Sequence, residues 1–338
     1  MQYIIQLPII LALLILVPIA SASQKASLEQ LSGTVELRRN GQDFFKQARI
    51  GQNVTNGDIL RTGADGKAIL RLIDNSILSF AAETEFMLGG ELAGAEDDLI
   101  GYLFRGIARA ILEKRRGSYI TTPTGAVGIR GTDITLTHTS ETEFYFLDEG
   151  AVEVRTDEAT IPLEAGNMTA SYAKRKPLPP SPFTKSAGLA KARSTLSALT
   201  SIEIPSSLKD HAQLNEILTR WIINYAHYLA DSGRHDDAET ALLIAEDLTK
   251  RQAVQGEILL QIGGLYVYRL NDVHGALRAY RKILRDYQDT PYFEKALFGA
   301  IRCFHLLKQQ EKAAEYTKWY KRKFPRGKFL HELDALMQ

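Results

Sequence analysis

A β-rich half followed by a helical half is what this sequence predicts, and three observations carry the prediction. Between residues 30 and 172, apolar runs of strand length are separated by turn-forming dipeptides. From about Asp210 the apolar residues recur at three- and four-residue steps instead. The charge divides in the same place. Residues 23–172 hold 15 Lys and Arg against 22 Asp and Glu, net −7, whereas residues 173–338 hold 26 against 18, net +8.

The chain begins with an almost wholly apolar run from Ile4 to Ala22, and its first charge is Lys25. Ala20-Ser21-Ala22 has the small-x-small pattern of a cleavage site, so residues 1–22 read as a secretory signal peptide. The run is also long enough to cross a bilayer uncleaved, and Pro18 and Ser21 near its end favour cleavage. Either way, the expectation is a periplasmic chain, with an inner-membrane anchor as the alternative. The single cysteine, Cys303, excludes a disulfide framework and reads as a small buried apolar residue.

In residues 30–172, Asn40-Gly41, Asn56-Gly57-Asp58, Ala64-Asp65-Gly66 and Asp74-Asn75-Ser76 supply residues that tolerate positive φ or bond their own backbone. Runs such as Ala68-Ile69-Leu70-Arg71-Leu72 and Thr142-Glu143-Phe144-Tyr145-Phe146 lie between such turns and partly alternate. Many short strands without intervening helices make an all-β domain, for which the pattern alone allows a sandwich.

Three segments in order carry a family resemblance: Gly57-Asp58-Ile59-Leu60-Arg61-Thr62-Gly63, then Thr121 to Asp133 (TTPTGAVGIRGTD), then Phe146 to Val154 (FLDEGAVEV). Together they resemble the FecR domain, a periplasmic β-rich module of Gram-negative bacteria. The resemblance implies a coiled, solenoid-like stack of strands, and with Gly106 and Gly117 it turns the ambiguous Ile107–Leu112 run into a strand. FecR regulators of iron transport couple an outer-membrane receptor to a sigma factor through a cytoplasmic helical domain. Only Met1-Gln2-Tyr3 precedes the apolar run here, so direct anti-sigma activity is not expected, and indirect signalling stays open. Within the motif, Arg130 offers a planar fork of donors for carboxylates. It reads first as a tie between neighbouring turns, to Asp148 or Glu149, and second as a ligand hook.

Residues 173–208 form a proline-rich basic linker, with Lys174-Arg175-Lys176-Pro177-Leu178-Pro179-Pro180-Ser181-Pro182 at its start and no acidic residue between Glu164 and Glu203. The plain reading is a solvated spacer with a short helix; the sharper one is a tether touching an anionic membrane or cell-wall surface.

Residues 209–338 are helical repeats. Leu214, Leu218, Trp221, Ile222, Tyr225 and Leu229 share one helix face. Ala238, Ala276 and Ala313 recur at steps of 38 and 37, and Tyr287 and Phe324 lie 37 apart. Roughly three helix–turn–helix units follow, with Gly264 and Ala276 letting helices approach and Tyr280 and Tyr287 filling between neighbours. The pattern resembles tetratricopeptide repeats, lengthened by a few residues. That resemblance implies a concave groove lined by first-helix side chains. Its candidate anchors are Trp221, Tyr225, Tyr228, Tyr266 and Tyr268, the alternative being that these rings pack between repeats.

Chemistry is not legible. There is no H-E-x-x-H pair, nucleophile elbow, P-loop or dinucleotide fingerprint. His227 and Asp231, and the Glu96-Asp97-Asp98 cluster, read better as solvated positions than as metal ligands. The expectation is a non-enzymatic protein-interaction scaffold with neither cofactor nor metal. Its partners would be envelope proteins; peptidoglycan or an anionic membrane surface are alternatives, and nucleic acid is not expected. Open strand edges of the β domain offer a further route to a partner.

Overall fold

The computed structural model describes residues 26–89, 98–113, 118–129, 131–201 and 211–336. The expected signal segment, Arg130 and the cluster Glu96-Asp97 fall outside them.

The first half is a β domain of two facing layers. Its strands are β1 (Ala26–Ser32), β2 (Val35–Arg38), β3 (Lys46–Gln47), β4 (Asn53–Val54), β5 (Ile59–Thr62), β6 (Lys67–Leu72), β7 (Ile77–Phe80), β8 (Glu85–Leu88) and β9 (Asp98–Leu112). They continue with β10 (Ser118–Thr121), β11 (Ala126–Ile129), β12 (Thr132–Thr139), β13 (Thr142–Glu149), β14 (Ala151–Arg155), β15 (Thr160–Glu164), β16 (Asn167–Tyr172) and β17 (Ser181–Pro182). One layer runs β4-β1-β6-β7-β9-β12-β13-β16-β17. The other runs β3-β2-β5-β8-β9-β10-β11-β14-β15.

The 15-residue β9 belongs to both layers. Its first part, through Arg105, pairs with β8, and from Gly106 onward it pairs with β12. The chain then returns to the other layer, where β10 lies parallel to β9. Among the described residues the solenoid expectation is met in that coil, and the other pairings are antiparallel, as in a sandwich. Gly106 makes the crossing at φ +100°, and a Cβ there would stand 2.5 Å from the Thr84 Cα. Alternating positions of both layers, among them Leu28, Leu70, Phe86, Leu103, Ile134 and Val154, fill the space between.

The outer face of the first layer is apolar as well. Phe144 and Phe146 on β13 and Met168 and Ala170 on β16 point away from the inter-layer core. Helices cover them: α1 (Ala187–Leu199), α2 (His211–Asp231) and α3 (His235–Leu248). One buried cluster therefore runs from β13 and β16 through Leu196 and Leu218 to Leu242, joining the two halves of the chain.

The segment between them is not a solvated spacer. Leu178 and Phe183 are buried, and the Leu178 N–H donates to the Ala170 carbonyl at 2.8 Å. The prolines forbid helix there, and an extended strand edge is where they are tolerated. Three cations of the segment are also engaged: Lys174 lies 3.2 Å from Asp157, Arg175 3.0 Å from Glu239 on α3, and Arg193 pairs with Asp148. A buried lysine closes the far side. Lys67 Nζ donates to the carbonyls of Ser201 at 2.7 Å and Ala198 at 3.3 Å, capping the C-terminal end of α1.

Three helix pairs follow, α2 with α3, α4 (Gln252–Tyr268) with α5 (Val273–Asp286), and α6 (Phe293–Leu306) with α7 (Gln310–Lys323), ending in α8 (Leu330–Leu336). Ala238, Ala276 and Ala313 are each the fourth residue of the second helix in their pair, and all three are buried. Tyr287 and Phe324 sit at the C-caps of α5 and α7. Among the described residues no helix is long and apolar enough to cross a membrane.

Two outcomes test this account. Gly106→Ala must adopt a left-handed φ and push into the Thr84 backbone, so it should destabilise the chain by about 2–4 kcal/mol in urea unfolding. Lys67 gives a pH signature. Burial pushes its ammonium down to about 8 from 10.5. The folded chain thus releases this proton before the unfolded chain does, and the Lys67 contribution to stability rises as pH climbs from about 8 towards 10.5. The stability difference between wild type and Lys67→Met should therefore grow in favour of wild type over that window; a flat difference would remove the buried-ammonium assignment.

Candidate functional site

The motif that carried the β-domain resemblance folds around a buried carboxylate. The turn Thr122–Gly125 joins β10 to β11, and the Thr122 hydroxyl accepts from the Gly125 N–H at 2.9 Å and donates to Glu143. Tyr145 also donates to Glu143, and Ser171 does so at 3.2 Å. His138 Nδ1, with no better-aligned partner among the described residues, lies 3.2 Å from Glu143 Oε1 across the β12–β13 pair. Glu143 is wholly buried. Burial by itself would raise its carboxyl, but His138, Thr122 and Tyr145 together outweigh that and hold it below the ordinary range. Burial, then the Glu143 charge, push the Tyr145 phenol well up, so it stays a donor.

This network ties the β12–β13 hairpin to the turn after β10. A cavity of about 280 Å³ adjoins it where the layer meets α2, lined by His138, Thr137, Phe144, Leu214 and Leu218 among others. The carboxylate went unread in the sequence, although a signal existed: Glu143 shares strand parity with Tyr145 and Leu147, both inward-facing.

The helical half presents a cleft of about 690 Å³ along α2, α4 and α6, the first helices of the three pairs. The helices close on the Tyr280 ring. A Cβ at Gly263 or at Gly299 would lie 2.4 Å or 2.7 Å from it, so both positions need a glycine. Gly263 rather than Gly264 makes this approach; Gly264 faces the open cleft with nothing within 4 Å of an added Cβ. Tyr268 stands exposed at the cleft, its hydroxyl bonded to Arg302, whose guanidinium lies 5.3 Å over the same ring. Phe298 and Phe329 stack beside it with centroids 4.5 Å apart. Lys295 and Arg269 add positive charge, and Asp231 is the carboxylate among the lining residues, 3.8 Å from Arg269.

The other four aromatic candidates lie elsewhere. Trp221, Tyr225 and Tyr228 form a ladder on α2, with centroids 4.8 Å and 6.1 Å apart. Trp221 packs towards α1, and Tyr225 donates to the Pro179 carbonyl at 3.3 Å, so both serve the junction. Tyr228, at the end of the ladder, is 65% exposed. Tyr266 donates to Glu239, beside Arg175, and belongs to the junction too. Arg302, Phe298 and Phe329 were missed because the groove was read from α2 and α4 alone. Among the described residues no group of three or more His, Cys, Asp and Glu is placed to hold a metal. Cys303 is buried in α6, and burial pushes its thiol up to about 12.

The sequence matches no protein-family profile and no curated protein. Two solved structures, each of a candidate anti-sigma factor from Parabacteroides distasonis, align with part of it. One does so at 15% identity over 40% of this chain and 64% of that chain, with a TM-score of 0.33. The other does so at 16% identity over 35% and 56%, with a TM-score of 0.30. The chain spans less than two thirds of the length of either, and likeness at these scores carries no argument about function.

Replacing Glu143 by Gln removes a buried charge while leaving its donors in place, and should cost about 3 kcal/mol of stability near neutral pH. Since the folded carboxyl lies below its ordinary value of 4.5, its contribution is present above that pH and lost as pH falls through the lowered value. Acid unfolding followed by circular dichroism should accordingly be less steep in Glu143→Gln than in wild type.

Proposed function

We propose that this protein is an exported, non-enzymatic scaffold whose helical cleft holds a segment of a partner protein, with the β domain as its rigid base. The observation that carries the reading is the cleft along α2, α4 and α6, where exposed Tyr268, the Phe298–Phe329 stack and Arg302 stand together. Exposed aromatic rings beside an arginine are the residue types on which interface energy concentrates. With Arg302, Lys295 and Arg269 against Asp231, the cleft suits a segment that sets a carboxylate next to an apolar side chain. The resemblance of the two halves to FecR-like and tetratricopeptide-like modules points the same way, and so does the apolar run of residues 1–22 for export.

A photo-crosslinking residue placed at Tyr268 in intact cells tests the reading. A defined protein adduct is expected, weakened about tenfold or more when Arg302→Glu is added. The same residue placed at Tyr266, inside the junction, should give no adduct. Adducts unaffected by Arg302→Glu, or trapping of glycan fragments alone, would overturn it.

A further inference from the structure

Much of the positive excess of the second half lies in the stretch from α5 to just past α7. Residues 276–328 hold 14 Lys and Arg against five Asp and Glu, net +9. On α5 the cations Arg278, Arg281, Lys282 and Arg285 recur at three- and four-residue steps, so they form one stripe opposite the buried Ala276, Tyr280 and Ile283. The stripe covers about 10 Å of helix, at roughly 1.5 Å per residue. It borders a cleft of about 730 Å³ whose other wall is Tyr316 and Trp319 of α7, both half-buried. Lys318 and Arg322 follow, exposed, on α7.

Three of the four stripe cations have a carboxylate nearby, yet Arg278 and Arg285 stay about three-quarters exposed. Arg285 pairs with its neighbour Asp286, and Arg278 reaches Asp272 at 3.6 Å, in largely exposed pairs of the kind worth least. Lys282 pairs with Glu246. Arg281 has no carboxylate within ion-pair distance among the described residues. In the linker, Lys174, Arg175 and Arg193 likewise sit against carboxylates, and the exposed Lys176, Lys185 and Lys191 are spread along the chain rather than set in one stripe.

We infer that the α5–α7 face docks on an anionic phospholipid surface. A row of cations along a helix meets several headgroups at once, whereas a single small anion would need them to converge. Trp319 and Tyr316, packed on the core with an edge towards the stripe, are of the residue types that settle at headgroup level. Each cation near such a surface contributes independently of the others. The face is built from second helices and the Tyr268 cleft mainly from first helices, with no lining residue in common, so a partner segment and a membrane can be held at separate places on the stack.

Flotation of the full chain with vesicles tests this. Phosphatidylglycerol in phosphatidylcholine is compared with phosphatidylcholine alone, because the uncharged residues 1–22 contribute equally to both. A preference for phosphatidylglycerol is expected, and it should fade as salt shortens the screening length from about 10 Å at 0.1 M to about 3 Å at 1 M. The triple variant Arg278→Glu, Arg281→Glu, Arg285→Glu should lose that preference by on the order of a hundredfold. The linker variant Lys174→Glu, Lys185→Glu, Lys191→Glu should keep it. These α5 side chains are exposed, and an unchanged circular dichroism spectrum confirms that the triple variant folds; the salt series on wild type stands apart from that check. Binding indifferent to lipid charge or salt, or loss in the linker variant but not the α5 variant, would overturn the inference. So would competition by soluble glycerol phosphate, or salt-sensitive self-association in place of vesicle binding.

Discussion

The outward-facing side of β13 and β16 sets the plan of the molecule. Phe144, Phe146, Met168 and Ala170 give the first layer a second apolar face, and such a face must be covered. The chain covers it with its own next segment: the proline-rich stretch pairs along β16, α3 packs against β13 and β16, and α1 and α2 complete the buried cluster. Everything downstream inherits its position from that contact, because each helix pair stacks on the one before it. The ion pairs of Arg175 with Glu239 and Arg193 with Asp148 orient the junction, while the apolar area under them supplies the drive.

Legibility in the sequence followed the physics of each element. The repeat register was readable because Ala238, Ala276 and Ala313 occupy one crowded position in each helix pair, where only a small side chain fits. Strand runs were readable from their turns, and the continuous Phe144-Tyr145-Phe146-Leu147 run already indicates a strand covered on both sides. The junction was hidden because Leu178 and Phe183 are isolated apolar residues among prolines and cations, a composition that reads as solvated. The Tyr268 cleft was half visible: Tyr268 was named, but Arg302 and Phe329 reach it from elements 34 and 61 residues further on, a proximity only the stack of pairs creates.

Charge in this chain does two separate jobs. In the linker, Lys174, Arg175 and Arg193 tie the chain to Asp157, Glu239 and Asp148. In the last two pairs the charge is left facing outward. A net count over residues 173–338 merges the two.

Strand β9 also governs the order in which the β domain can be assembled. A chain emerging from its N-terminus can pair β1, β6 and β7 in one layer and β2, β5 and β8 in the other using local partners. Both layers then stop at an open edge, β7 on one side and β8 on the other. One strand closes both, since the halves of β9 on either side of Gly106 belong to different layers. Residues 26–89 are in that sense a two-edged template, and until β9 arrives they carry the unpaired backbone that invites association with other chains.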